Sequence, residues 1–434
     1  MDRLNIRATR TAGALALATT LAWAGGPASA TSSPSPQRPP GTITRPVLSR
    51  AEAAPYSPRT YLSRAGTVTA PTADPWAPQP IRTRRITADF VVGPVSGTGS
   101  PRYDTVQQAV NAAVRTGRTD RIYIKVQPGT YVGTVYVPAT AGPITLYGGG
   151  ARPDQVSLDF TLDASITPAD YAALVNPSGQ YVAGDPAWEM FASCAGRTAS
   201  NLGGCATVLW AQSAHFQLSN LTVRNTLLDS VDSGTHQAIA VRTDGDRAQL
   251  ESVRLISRQD TAYFNTVDIP TIARVFVRDS YIEGDTDFVY GRATAVFENT
   301  RFAVVSSRKP TNGVIFAPST DPAWPYGFLV VNSRITADQG YRTAPTAHLG
   351  RAWDAGAGST GYLPGRSPNG QLLIRNTHLG NGFDAIAPWA PAATTARPFT
   401  ASISPDRTLD DSAYNRLWEH ANHGPGAVSP TTGS

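Results

Sequence analysis

The sequence is poor in the residues that many catalytic and metal-binding patterns require. Only two of its 434 residues are cysteine and only two are methionine. No Gly-x-Ser-x-Gly motif is present, which excludes the serine nucleophile elbow of α/β-hydrolases. No His-Glu-x-x-His motif or cysteine-rich spacing is present either, and we therefore predict no metal ion and no cofactor. The 16% of charged and 41% of apolar residues indicate a globular protein.

The N-terminus has the pattern of an export signal. Arginines at positions 3, 7 and 10 form a basic start, a largely apolar run covers residues 12–24, and Ala28-Ser29-Ala30 offers small residues for cleavage. We predict that residues 1–30 are a signal peptide cleaved after Ala30 and that the protein is secreted. Because the apolar run is too short to cross a bilayer, we expect no membrane span.

Export has consequences for the charge and for the cysteines. Loss of residues 1–30 removes three arginines and one aspartate, so the formal net charge falls from +5 to +3. Such a small excess does not indicate a nucleic-acid partner. In an oxidising compartment we expect Cys194 and Cys205, eleven positions apart, to form a disulfide rather than remain free thiols.

Composition changes along the remaining chain suggest two parts. Residues 31–85 are rich in proline, serine and threonine and are predicted to be a tail or linker that is partly docked. Residues 86–434 are predicted to form one folded domain. Near its start, apolar residues from Val106 to Val114 follow helical spacing behind Asp104-Thr105, which predicts an amphipathic helix. The alternation of residues 122–126 predicts a strand.

An eight-residue template recurs after residue 215. It consists of an apolar residue, any residue, an apolar residue, any residue, a small polar residue, two of any kind and an apolar residue. The small polar positions are Asn220, Ser252, Asp279, Asn299, Asn332 and Asn376, at spacings of 32, 27, 20, 33 and 44 residues. A fixed unit with variable insertions predicts an all-β, parallel β-helix whose open N-terminal end is capped by the helix. A β-sandwich also has many short strands, but no Asn-Gly turn joins two copies of the template.

Two aspartates lie at the same distance from their template corners. Asp260 follows Ser252, and Asp287 follows Asp279, by eight residues each. Equal offsets on successive coils would place the two carboxylates one above the other, about 5 Å apart. Gln237, about one coil earlier, would lie in the same strip. Close carboxylates split their pKa values, so one can act as a nucleophile and the other as an acid and base, although a solvated polar ladder is the simpler interpretation.

At these residues the sequence resembles the pectin methylesterase family. Four motifs of that family occur in the family's order: Gln237-Ala238-Ile239-Ala240-Val241, Arg258-Gln259-Asp260-Thr261-Ala262-Tyr263, Gly284 to Gly291 and Leu349-Gly350-Arg351-Ala352-Trp353. The resemblance implies a right-handed parallel β-helix, in agreement with the repeat. The insertion of residues 161–204, with its cysteine pair of Cys194 inside the range and Cys205 directly after it, resembles the envelope-associated bacterial branch of the family.

The resemblance also implies roles for individual residues. Asp287 resembles the nucleophile and Asp260 the acid and base. Gln259 and Gln237 resemble the amides that stabilise the oxyanion, and Arg351 the residue that keeps Asp287 ionised. Four aromatic residues are expected to contact the sugar: Trp353, Tyr290, Phe288 and Tyr263. Three positions depart from the family pattern: Ala352 stands where the family has proline, Tyr290 where it has phenylalanine, and Arg258 where it has an aromatic residue.

We therefore predict a secreted esterase that acts on methyl-esterified pectin or oligogalacturonides, and we expect a monomer. Polygalacturonases share the fold, but the Gly-His-Gly and Arg-Ile-Lys segments that they would need are absent. A pectate lyase would need a calcium-binding cluster of acids that this strip lacks. A non-catalytic glycan-binding or envelope protein, and an esterase or thioesterase of other acyl substrates, remain alternatives.

Overall fold

The computed structural model of the protein describes residues 41–94, 99–199, 201–269 and 271–428. The signal peptide predicted at residues 1–30 lies outside these ranges. Within them, no helix has the length and apolar character that crossing a bilayer would require.

The described chain winds into a parallel β-helix, in which successive coils add strands to three sheets. The strands within each of these sheets pair in parallel. This arrangement confirms the predicted β-helix and excludes the β-sandwich, whose strands are antiparallel.

The three sheets have seven, eleven and eight strands. Sheet 1 consists of Val135–Val137, Thr207–Ala211, Ile239–Thr243, Ala262–Phe264, Val289–Gly291, Val314–Pro318 and His348–Gly350. Sheet 2 consists of Phe90–Val92, Arg102–Tyr103, Ile122–Val126, Ile144–Gly148, Gln217–Ser219, Ala248–Glu251, Arg274–Arg278, Thr294–Glu298, Phe328–Val331, Gln371–Arg375 and Arg416–His420. Sheet 3 consists of Gly129–Val132, Val156–Phe160, Thr222–Asn225, Arg254–Ile256, Tyr281–Gly284, Arg301–Val304, Arg334–Ala337 and His378–Leu379.

The corner between sheets 2 and 3 is formed by the small polar residue of the template. All six of these residues have φ between 47° and 57°, the left-handed conformation that asparagine and aspartate tolerate better than most residues. The Asn220 side chain also donates hydrogen bonds to the Gly148 and Gly150 carbonyl oxygens of the preceding coil, at 3.0 and 2.7 Å. The predicted polar corner is therefore confirmed.

Apolar residues stack along the inside of the solenoid. In sheet 2 one such row, every member of which is fully buried, consists of Leu146, Leu218, Leu250, Val277, Phe297, Val330 and Ile374. Burying a side chain of this kind contributes roughly 1.5–3 kcal/mol. The core is therefore continuous along the helix axis.

Helices cover parts of the solenoid. The predicted N-terminal helix spans Val106–Arg115, begins with a capping box between Thr105 and Gln108, and packs its apolar face into the core beside the first strands. The other α-helices are Arg50–Ala53, Pro58–Ser63, Pro168–Val175, Trp188–Ala195 and Gln339–Thr343, and short 3₁₀ turns occupy Pro153–Gln155 and Gly203–Cys205.

The described part of the proline-rich segment packs against the outer face of sheet 2. A short antiparallel pair, Gly41–Thr42 with Arg45–Pro46, precedes its two helices. Tyr61 is fully buried and belongs to the same apolar cluster as Val296 and Leu329 of sheet 2. The fully buried Arg274 donates hydrogen bonds to the carbonyl oxygens of Leu62 and Asp74 in this segment.

The insertion of residues 161–204 has its own apolar cluster beside sheet 1. Its two helices pack together around Tyr171 and Phe191. Cys194 and Cys205 are joined by a disulfide, as predicted from the compartment. The bridge therefore links the second helix of the insertion to the start of the next coil, Thr207–Ala211.

Candidate active site

Asp260 and Asp287 lie at the corner where two successive coils pass from sheet 3 to sheet 1. Gln259 pairs with Thr286 in a parallel bridge, and the Asp260 N–H donates to the Thr286 carbonyl oxygen at 3.0 Å. The next residues, the two aspartates, are therefore level with each other. Both adopt left-handed φ values, 68° and 47°, and they are only 3% and 9% exposed. The equal offsets in the sequence thus correspond to one strip of the surface.

Arg351 binds only one of the two carboxylates directly. It follows the sheet 1 strand His348–Gly350, and its Nε and Nη2 atoms donate to the two oxygens of Asp287 at 2.8 and 2.5 Å. Burial alone would lower the pKa of Arg351, but attraction to Asp287 and these hydrogen bonds outweigh it, so the pKa is raised. This bidentate pairing fixes the orientation of Asp287 and holds a cation against its carboxylate.

Asp260, unlike Asp287, is buried next to a negative charge and is not bound directly by Arg351. Burial and, secondly, the nearby charge of Asp287 raise its pKa well above the ordinary value. Hydrogen bonds from Tyr290 and Gln237 oppose this shift without cancelling it. Burial also raises the pKa of the Tyr290 hydroxyl, which therefore remains a proton donor. The pair consequently consists of one carboxylate bound by a cation and one carboxyl group that favours its protonated form.

Two glutamine amides lie beside the pair. Its spacing in the sequence suggested that Gln237 would lie level with Asp260. In the structure it instead pairs in register with Gln259. Its Nε2 donates to the Asp260 Oδ2 at 3.1 Å. The Gln259 Oε1 accepts the His236 backbone N–H at 2.9 Å, and this fixes the orientation of the amide, because a backbone N–H can only donate.

The sequence did not indicate that the insertion supports these amides. The Ala164 N–H donates to the Gln237 carbonyl oxygen at 2.9 Å, and Asp163 binds the His236 Nδ1 at 2.7 Å. His236 is thus held through its ring while its backbone orients Gln259. The insertion is therefore bonded directly to the segment that carries both glutamines.

Three of the four aromatic residues predicted to contact the sugar cluster near the aspartates. Tyr263 and Tyr290, each three residues after its aspartate, stack in parallel with ring centroids 4.2 Å apart. Trp353 meets both rings edge-on and is partly exposed. The prediction for Phe288 is wrong: its side chain is fully buried in the main core. Directly after the left-handed Asp287, the chain directs Phe288 inward.

Asp285 is a structural residue rather than a neighbour of the pair. Two residues before Asp287, it is fully buried, and Arg308 binds both of its oxygens at 2.8 and 2.7 Å. Arg308 also donates to the carbonyl oxygens of Asp232 and Gly234. This ion pair therefore joins the turn that carries Asp287 to the 229–234 loop.

Arg258, one of the departures from the family pattern, is part of a second ion network. It replaces an aromatic residue and binds Asp229 at 2.6 Å and Glu283 at 2.9 Å. Ser307 donates a further hydrogen bond to Asp229. This network holds the same loop from its other end. Nothing in the structure explains the replacement of proline by Ala352, which is buried.

A parallel β-helix with two level aspartates, one bound by arginine, defines a class of β-helical enzymes that use a carboxylate pair. A model of the pectinesterase family matches residues 195–357. Pectinesterase B of Dickeya dadantii (strain 3937) is 54% identical over 390 residues, which cover 88% of this chain and 90% of that protein. The chain belongs to the pectinesterase family, and its β-helix is right-handed like those of the family.

Two solved structures extend the similarity to the whole fold. The crystal structure of the Escherichia coli protein ybhc has a TM-score of 0.81 and 41% identity, and covers 90% of this chain and 99% of that chain. The structure of rice weevil pectin methyl esterase has a TM-score of 0.80 and 36% identity, and covers 90% and 100% of the two chains.

We predict that Asp285→Asn destabilises the fold. The substitution leaves the buried Arg308 guanidinium without its counter-charge, and breaking such a pair costs about 3–5 kcal/mol. Urea unfolding followed by tryptophan fluorescence measures the change. Asp154→Asn is the matched control, because Asp154 is exposed and pairs with Arg152 on the surface. Equal unfolding midpoints for Asp285→Asn and the unsubstituted protein would contradict the structural role of Asp285.

Proposed function

We propose that this protein hydrolyses the methyl esters of galacturonate in pectin or its oligomers and releases methanol. Membership of the pectinesterase family supports the substrate class. The observation that carries the mechanism is the difference between the environments of the two aspartates. Arg351 binds Asp287, whereas burial beside that charge favours a proton on Asp260.

In the first step an oxygen of Asp287 attacks the C6 carbonyl carbon of the ester. The carbonyl oxygen becomes negative in the tetrahedral intermediate, and amide N–H groups of Gln259 and Gln237 stabilise it. The bond to the methoxy group then breaks, and Asp260 donates its proton to the leaving oxygen, so that methanol departs. The products of this step are an acyl-enzyme on Asp287 and an ionised Asp260.

In the second step Asp260 acts as a base. It removes a proton from water, and the resulting hydroxide attacks the acyl carbonyl carbon. Asp287 leaves as a carboxylate bound to Arg351, while Asp260 is protonated again. The galacturonic acid ionises on release, so each turnover consumes one water and gives methanol, a carboxylate and a proton.

The main test is methanol release from methyl-esterified galacturonan. Asp287→Asn removes the attacking charge and Asp260→Asn removes the proton donor, so each should reduce kcat by on the order of 10³-fold or more. Asparagine suits both positions, because it tolerates the left-handed conformation. The exposed Asp154→Asn is the control and should keep full activity. Methanol release that survives in both active-site variants would contradict the mechanism.

Two further assays separate the alternatives. New reducing ends would indicate cleavage of the polysaccharide chain instead of its esters. A relative in Escherichia coli (strain K12), 42% identical over 409 residues, is named as a candidate acyl-CoA thioester hydrolase, so an acyl-CoA is the second substrate to test. Hydrolysis of the thioester without release of methanol from pectin would overturn the proposed substrate.

The Tyr290 hydroxyl gives a prediction for pH dependence. Its hydrogen bond lowers the pKa of Asp260, so Tyr290→Phe should raise that pKa further. Because Asp260 must be protonated in the first step, kcat/KM falls as the pH rises through this pKa. The alkaline limb of the kcat/KM profile should therefore move to higher pH in Tyr290→Phe.

Tyr263→Phe is the matched control for this measurement. Tyr263 stacks on Tyr290 and is also nearly buried, but its hydroxyl has no hydrogen bond to Asp260 among the described residues. The alkaline limb of the kcat/KM profile of Tyr263→Phe should therefore stay at the same pH as in the unsubstituted enzyme. A shift of the limb to lower pH in Tyr290→Phe would contradict the role of the hydroxyl.

We also propose that the protein is secreted as a monomer after cleavage behind Ala30. The basic, apolar and small-residue regions of residues 1–30 support export, and the disulfide is consistent with an oxidising compartment. N-terminal sequencing of the protein recovered from the culture medium should begin at Thr31. Retention inside the cell with an intact N-terminus would contradict the proposal.

A further inference from the structure

Four cations line one groove on the outer face of sheet 2. The groove has a volume of about 1050 Å³, and the cations are Arg82, Arg84, Arg85 and Lys125. Their side chains have no ion pair and no hydrogen bond within the described chain, and the three arginines are exposed. Single arginines without an ion pair, such as Arg50, also occur elsewhere on the described surface. These four differ from them because they share one groove.

The wall that carries the three arginines is bound to the solenoid at both of its ends. At one end the Ile81 N–H donates to a carboxylate oxygen of Glu251 at 3.0 Å. At the other end the Asp89 N–H donates to the Tyr123 carbonyl oxygen at 2.9 Å. Residues 82–86 run between these two attachments. The arginines are therefore held beside the outer face of sheet 2.

The floor of the groove is a row of side chains on four neighbouring strands of sheet 2. Lys125, Tyr147, Ser219 and Glu251 are in register across these strands. Three strand spacings separate the ends of the row, roughly 14 Å, which is long enough for more than one sugar unit. Tyr147 is only 3% exposed, yet its hydroxyl has no hydrogen-bond partner within the described chain. A ligand oxygen in the groove can therefore accept a hydrogen bond from it.

The acidic side chain in this lining does not neutralise the four cations. Glu251 is the one acid among the described residues that line the groove. It forms an ion pair with Arg278 at 2.7 Å and also accepts the Ile81 N–H. The positive charges of the groove thus remain unbalanced. A concave surface with charge of one sign attracts ligands of the opposite sign.

We propose that this groove is a second binding site, which holds stretches of unesterified galacturonan. The inference rests on the proposed function, because each turnover would leave one more carboxylate on the polymer. A row of cations contacts several carboxylates of such a stretch at once. The groove lies on sheet 2, whereas the aspartates lie at the corner between sheets 3 and 1. Binding in the groove therefore keeps the enzyme on the polymer and raises the effective concentration of the remaining esters at the active site.

The experiment compares two variants that lose the same charge. The groove variant replaces the three arginines of the wall: Arg82→Gln, Arg84→Gln and Arg85→Gln. The control variant replaces three exposed arginines elsewhere that also have no ion pair within the described chain: Arg50→Gln, Arg59→Gln and Arg334→Gln. Immobilised polygalacturonate measures binding. A fully methylated trimer of galacturonate and a long, partly de-esterified galacturonan are the substrates.

We expect the groove variant to bind polygalacturonate about tenfold more weakly than the unsubstituted enzyme, because three exposed charges of small individual effect act together. The control variant should change by less than about twofold. The KM of the groove variant for the long polymer should rise by a similar factor of about ten, with kcat unchanged. On the trimer, kcat and KM should stay within about twofold in both variants, since a trimer at the active site does not extend to another face of the solenoid. Added salt should weaken the binding of the groove variant less steeply.

Three results would overturn the inference. Equal affinities of the groove and control variants for polygalacturonate would exclude the groove as its binding site. Equal losses on the trimer and the long polymer would show that the wall acts on the active site instead. Phosphatidylglycerol vesicles are the third probe. If the groove variant lost binding to the vesicles and kept its binding to polygalacturonate, the groove would be a site for an anionic membrane.

The two proposals fail separately. A protein that releases no methanol from methyl-esterified galacturonan refutes the proposed function. Binding to immobilised polygalacturonate is measured without turnover, so it tests the groove whether or not the esterase reaction occurs.

Discussion

Hydrogen bonds between the backbones of successive coils fix the height of each residue in this solenoid, and the candidate site depends on that register. The bond from Asp260 to Thr286 makes two aspartates level although 27 residues separate them in the sequence. The same register stacks Tyr263 on Tyr290 and pairs Gln237 with Gln259. Loops of different lengths can project from the solenoid without disturbing the register, because the backbone hydrogen bonds between coils resume in each following strand.

The register alone would give two equivalent carboxylates, and a single arginine makes them different. Arg351 reaches Asp287 from a strand that is not adjacent to it, since Val314–Pro318 lies between the two strands in sheet 1. Burial then acts in opposite directions on the pair. It strengthens the ion pair of Asp287 with Arg351, and it favours the neutral form of Asp260. Two identical side chains thus have different environments: one is paired with a cation, and the other favours its protonated form.

Residues outside the pair hold this arrangement in place. Arg308 and Arg258 each link the turns that carry the two aspartates to the 229–234 loop, through Asp285 and Asp229 respectively. On the other side, Asp163 and Ala164 of the disulfide-bonded insertion fix the segment that contains His236 and Gln237. Segments from distant parts of the sequence therefore support the polar groups of the site.

The sequence by itself determined the β-helix, the polar corners, the capping helix and the level aspartates, because these follow from offsets that recur within one coil. Tertiary structure alone decided which partners the side chains meet. Phe288 and Asp287 are adjacent, yet the side chain of Phe288 enters the core and that of Asp287 pairs with Arg351. Asp285 lies two residues before Asp287, but it is buried and paired with Arg308, 23 residues later in the sequence. Asp163 lies 73 residues from His236. Such contacts depend on how each loop returns to the stack, and no local periodicity encodes that path.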